Sequence, residues 1–186
     1  MHTTIGWVYF TRYGTLVLTR KTLCIGVGLW LFLTLICLVV CHSLGSKAVG
    51  ICLAGLLLTV SFTDYSTLNI PHELIGLIGV LSFSAFLLGS PDDIDLIRRC
   101  IGCCAVSIPL FVVALAVNGF GGGDIKLMAA MGFLLGVDRA LIALFLAVVV
   151  GMGYALTLIL TGKITRKDVF PFGPALSIGS FIAFLL

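Results

Sequence analysis

The sequence predicts an all-α, polytopic integral membrane protein with six or seven transmembrane helices. Three observations carry that expectation. The 186-residue chain is 60% hydrophobic and only 10% charged, whereas soluble domains hold about a quarter charged residues. Its mean hydropathy is +1.25. Its apolar runs also follow one another with only short joints, as in a single membrane domain.

The elements follow in order. A spanning helix needs roughly 17–25 mostly apolar residues. Leu23–Cys41 meets this, and Lys47–Thr63 is a second, shorter candidate. His72–Gly89 and Cys100–Val117 are the third and fourth. Ile125–Gly136 is too short to span alone and reads as a partial or tilted helix, or as one that continues toward Asp138 while its neighbours thin the bilayer. Ala140–Leu160 is a full span, and Phe172–Leu186 a short last one. Residues 1–22 mix Trp7, Tyr9, Phe10 and Tyr13 with Arg12, Arg20 and Lys21, a composition suited to the membrane surface. They lack a compact apolar core ending in a cleavage site, so no cleavable signal peptide is expected. The organisation expected is an interfacial N-terminal segment, 1–22, and a membrane domain, 23–186.

Charge sets the orientation. Arg12, Arg20 and Lys21 precede the first span, which puts the N-terminus in the cytoplasm. With seven crossings, Asp64–Pro71, Asn118–Asp124 and Gly162–Asp168 then fall inside. Lys163, Arg166 and Lys167 form the densest later basic cluster, and the same count places them inside. In the outer joints Asp92, Asp93, Asp95 and Asp138 offset Lys47, Arg98, Arg99 and Arg139. The net charge of +3 is spread along span edges, which suits anionic headgroups and no nucleic-acid partner. The seven cysteines lie in or beside apolar runs. Cys100-Ile-Gly-Cys103 has no second ligand pair, so the reading is small apolar filler and no metal site.

Two carboxylates stand out. Asp64 closes one apolar run, and Asp124 follows Gly121-Gly122-Gly123 ahead of another. An acidic residue costs roughly 2.5–3.5 kcal/mol at the centre of a membrane helix on insertion scales, and less near the interface. Each has a plain structural explanation. Asp is a favoured helix N-cap, and Asp64 followed by a polar stretch to Pro71 reads as a loop at a span's end. The pair is more telling. Both fall at one membrane face, in loops beside helix ends, where two carboxyls can share a proton. One then serves as general base on a water while the other, protonated, polarises a carbonyl. Gly121 and Gly123 allow positive φ and close approach of another backbone.

These residues resemble the type IV prepilin peptidases. Asp64 with Ile70-Pro71 behind it looks like the family's first catalytic segment. Gly121-x-Gly123-Asp124-Ile-Lys-Leu looks like its G-x-G-D motif, with Gly132 and Gly136 spaced as in the family, and Pro171-Phe172-Gly173-Pro174 like its C-terminal P-F-G-P. The resemblance implies a membrane aspartic endopeptidase, without metal or organic cofactor, that cleaves prepilins or pseudopilins at the cytoplasmic face of the inner membrane. Asp64 and Asp124 become the catalytic pair, and Gly121 and Gly123 shape the second aspartate's loop. Pro71 opens the next helix, and Glu73, in its first turn, is a candidate for binding the basic leader. The joint His42–Lys47 has no room for the cysteine-rich insertion of larger members, which also N-methylate the product. The chain thus looks like a short form without methylation. His72 stands where the family often has Asn or Asp. The rival class is a small ion-coupled transporter or channel, because intramembrane acids and broken helices also suit ion coordination. Acids at one face and no inverted repeat weigh against it.

Overall fold

The computed structural model describes residues 7–11, 14–18, 20–87, 95–116, 121–162 and 170–186, with side chains from Cys24 onward. Arg12, Asp92, Asp93, Lys163, Arg166 and Lys167, on which part of the orientation argument stands, lie outside the described residues.

The membrane domain is all-helical, as the composition requires. It comprises α1 (Arg20–Val40), α2 (Leu44–Thr67), α3 (His72–Leu87), α4 (Leu96–Ala116), α5 (Gly122–Leu160) and α6 (Gly173–Leu185). Ahead of it, in the segment expected at the membrane surface, β1 (Trp7–Thr11) pairs antiparallel with β2 (Gly14–Leu18). Helices α2 and α5 and the Leu96–Leu115 stretch of α4 are long and apolar enough to cross a membrane.

Two boundaries differ from the sequence expectation. Asp64 sits within the last turn of α2 and not in a loop. The polar residues beyond the apolar run satisfy themselves on the helix: Ser66 Oγ donates to the Phe62 carbonyl and Thr67 Oγ1 to that of Thr63, each at 2.8 Å. The helix ends at Leu68, whose φ of 52° is left-handed and whose N–H donates to the Asp64 carbonyl at 2.8 Å. The second difference is α5. Its 39 residues would run about 58 Å if straight, roughly twice the hydrocarbon thickness.

Helix α5 is broken at Gly136, whose φ of 73° and ψ of 174° are open only to glycine. Contacts with α6 show that the chain reverses there. Asp124 shares a pocket with Phe172 at the start of α6, and Met128 meets Ser180 further along, so the first half runs alongside α6 in the same direction. Gly179 packs on Ala143 and Ala147 while Gly151 packs on Phe172 and Ala175, so the second half runs against it. The six described helices therefore hold seven apolar segments. The partial helix Ile125–Gly136 and the span Ala140–Leu160 are the two arms of α5.

The break leaves carbonyls of the first arm without helical partners. Arg99, 1% exposed, donates through Nη1 to the carbonyls of Phe133 and Leu134 at 3.2 Å each. Its guanidinium also lies 5.6 Å from the Phe86 ring centroid. Helix α4 reaches the break because it carries no side chain at Gly102. A Cβ there would lie 2.6 Å from the Gly132 carbonyl oxygen and 2.8 Å from the Val137 nitrogen. Backbone contact through small residues is how helices associate without a hydrophobic drive.

Apolar side chains cover the outside as well as filling the core. Val39, Ile97, Leu115 and Phe145 are exposed, while Ser82, Arg99, Ser177 and Ser180 are buried. Ser82 Oγ donates to the Ala130 carbonyl at 3.1 Å and so ties α3 to α5.

Candidate functional site

Helices α2, α5 and α6 converge at the end opposite Gly136. There Asp64 and Asp124 line one open pocket. Asp64, Leu68, Asn69 and Ile70 come from the turn between α2 and α3. Gly121, Gly123 and Asp124 come from the start of α5, and Phe170 and Phe172 from the approach to α6. Both carboxylates are buried, at 6% and 8% exposed, and close enough to act on one another electrostatically.

Asp64 is fixed by its neighbour in space. The Gly173 N–H donates to Asp64 Oδ2 at 2.7 Å. A side chain at position 173 would collide with that carboxylate, since its Cβ would lie 2.7 Å from Asp64 Cβ and 2.8 Å from Cγ. The Pro-Phe-Gly-Pro run thus places a side-chain-free donor against Asp64, and Pro174 starts α6 without needing a donor of its own. The sequence reading took this run only as a match to the family's C-terminal motif. Nothing in the local sequence signals a bond across 109 positions, and the family resemblance is the only pointer to it.

Asp124 is held differently. The N-cap of α5 is Gly121, so Asp124 lies in the first turn as the third helical residue and not at the cap. Its negative charge suits the helix N-terminus. Its Oδ2 turns back toward Gly121, where an added Cβ would lie 3.2 Å away. Its Oδ1 is buried without a hydrogen-bond partner among the described residues. Such an atom marks a place where a water or a substrate group completes the site.

The glycines act through space and not through unusual torsions. Gly121 has a φ of −71°, and Gly123 is helical; neither takes the positive φ that the sequence allowed. Gly123 instead lets Ile70 close in, with 3.1 Å between the position of its absent Cβ and Ile70 Cβ. Ile70 is 3% exposed, so this contact fastens the α2–α3 turn onto the start of α5.

Pro71 and Glu73 do not line the pocket. The Pro71 carbonyl accepts from the N–H of Leu74 and of Ile75, at 3.2 and 3.4 Å, and so starts α3 as expected. Glu73 is exposed in the first turn of that helix.

The fold and pocket define a class: a polytopic helical membrane protein with paired, buried carboxylates at one end of its bundle. Comparison with known proteins narrows it. The Type IV leader peptidase family matches residues 51–156. The chain is 38% identical over 133 residues to a prepilin leader peptidase/N-methyltransferase of Bacillus subtilis (strain 168), covering 70% of this chain and 52% of that protein. It is 35% identical over 146 residues to the protein of that name from Aeromonas hydrophila, covering 72% and 49%. It is 26% identical over 146 residues to that from Neisseria gonorrhoeae, covering 73% and 47%. No solved structure matches. The chain belongs to the type IV leader peptidase family. It spans about half the length of the curated relatives it matches.

Proposed function

We propose that this protein is a membrane aspartic endopeptidase that removes the leader from prepilin-like precursors, with Asp64 and Asp124 as its catalytic pair. The observation that carries the reading is the convergence of two buried carboxylates from α2 and α5 in one open pocket. Nothing in the comparisons favours the transporter alternative.

In the proposed reaction the pair shares one proton. The ionised carboxylate takes a proton from water as the water oxygen attacks the scissile carbonyl carbon. The protonated carboxyl polarises that carbonyl oxygen. The tetrahedral intermediate then breaks its C–N bond, and the leaving amine receives a proton from the pair. Asp64, fixed by the Gly173 amide, supplies the rigid half. Asp124, with one oxygen unpartnered, supplies the half that takes up water. Gly121 leaves room for the Asp124 carboxylate and Gly123 for Ile70, and Glu73, exposed nearby in sequence, meets the basic leader. The substrates are pilin or pseudopilin precursors presented from the bilayer. The enzyme resides in the inner membrane with its N-terminus and pocket at the cytoplasmic face. Residues 1–22 form a surface segment and 23–186 the peptidase domain. Cleavage proceeds without methylation of the product.

The test is co-expression with candidate precursors, read as a mobility shift. Asp64→Asn and Asp124→Asn keep shape and remove a titrating group, and each is expected to lower turnover by about 100-fold or more while insertion stays intact. Near wild-type cleavage by either variant would exclude the dyad.

A further inference from the structure

We propose that Asn69 is a substrate-binding residue that grips the backbone of the bound peptide beside the scissile bond; this rests on the peptidase reading above. Among the described residues lining the pocket, only Asp64, Asp124 and Asn69 carry polar side chains. The two carboxylates are committed to water and to the scissile carbonyl. The remaining walls are Leu68, Ile70, two glycines and two phenylalanines, which offer surface and no side-chain hydrogen bond. A peptide entering this pocket brings backbone donors and acceptors that lose water. Leaving them unpaired opposes binding. Asn69 supplies a carbonyl acceptor and an amide donor on one rigid plane, the same two functions as a peptide group, so it can pair with one at two points.

The turn holds Asn69 in place for this. Leu68 takes a left-handed conformation, the only positive φ among the described non-glycine residues, which L side chains avoid. Such strain persists where the surroundings over-determine it, and it clusters at ligand contacts. Here the surroundings are visible. The Leu68 N–H donates to the Asp64 carbonyl, and the Thr67 hydroxyl hydrogen is shared between the Thr63 carbonyl at 2.8 Å and the Asn69 carbonyl at 3.1 Å. Ile70 is buried against Gly123, and Pro71 follows. The backbone on both sides of Asn69 is thus fixed relative to Asp64 and Asp124. Its side-chain amide makes no hydrogen bond to the described residues and is exposed.

Kinetics of cleavage of a purified precursor in detergent or vesicles test this, using the full chain. Loss of one neutral hydrogen bond costs about 3- to 10-fold in affinity. Asn69→Ala is expected to raise KM about 10-fold or more with kcat within about twofold, the signature of binding lost equally from ground and transition states. Asn69→Ser, which keeps a shorter donor and acceptor without adding charge beside the two aspartates, is expected to fall between wild type and Asn69→Ala. Thermal midpoints should match wild type for both, because the exposed amide supports no packing; a structural role would lower them instead. A wild type that cleaves, paired with an Asn69→Ala variant of unchanged KM or of reduced kcat alone, overturns the proposal and leaves the peptidase reading standing. A wild type that cleaves no precursor overturns that reading, and this proposal with it.

Discussion

At the scale of single residues, the site depends on where side chains are missing. Gly173 can have no Cβ because Asp64 occupies that space. Gly173→Ala is therefore expected to displace the Asp64 carboxylate and cut cleavage at least about 10-fold, though it removes no reactive group. Gly123→Val should cripple cleavage as well, since the new side chain would drive Ile70 away from the start of α5. Gly122→Ala is the matched control. Nothing lies within 4 Å of a Cβ there, so activity should stay near wild type. The comparison needs cleavage rates normalised to the amount of inserted protein. Equal rates for all three would reduce these glycines to connectors. The aspartates themselves were legible in the sequence, because an acid beside an apolar run is costly and so conspicuous. The Gly173 amide was not, because a backbone donor has no sequence signature.

At the scale of elements, the sequence revealed helices better than their ends. Asp64 read as a loop residue because polar letters follow it, yet Ser66 and Thr67 bond their own helix and carry it onward. The break in α5 was legible because Gly136 closes a run too short to span. Its consequence for Arg99 was not. Beside Arg98 and near acidic residues, Arg99 read as loop charge; the structure buries it as the donor to carbonyls that the break exposes. The two arginines should therefore differ sharply. Arg98 pairs with Asp138 at 3.2 Å, but both side chains are more than half exposed, and such pairs contribute little. Arg98→Ala is expected to leave the thermal midpoint in detergent nearly unchanged. Arg99→Met removes charged hydrogen bonds from a buried site, which costs about 3 kcal/mol, and should lower the midpoint clearly. Equal effects would mean that Arg99 does not hold the reversal.

At the scale of the molecule, the reversal at Gly136 sets which joints share a face. It brings Asp124 and Gly151 to the end where Asp64 and α6 begin, and leaves Asp138 at the other. Single cysteines in a cysteine-depleted background should report this with an impermeant reagent. Ser43→Cys and Asp138→Cys are expected to label from outside the cell; Leu68→Cys and Gly162→Cys only after permeabilisation. External labelling at position 68 would invert the proposed orientation. The succession of apolar helices was readable from hydropathy, whereas the inward turn of Ser82, Ser177 and Ser180 was not. Scattered serines in apolar helices carry no periodic signal strong enough to assign a face.

The bond between Asp64 and Gly173 also has a meaning in time. A chain is made from its N-terminus, and the donor arrives 109 residues after the acceptor. A nascent chain that has reached the second arm of α5 already holds both carboxylates but lacks the amide that fixes one of them. On the proposed reading, a half-made copy in the crowded surroundings of the translocon is a poor protease. Asp64 gains its backbone donor only once α6 is in place, so the last helix made is the one that completes the pocket.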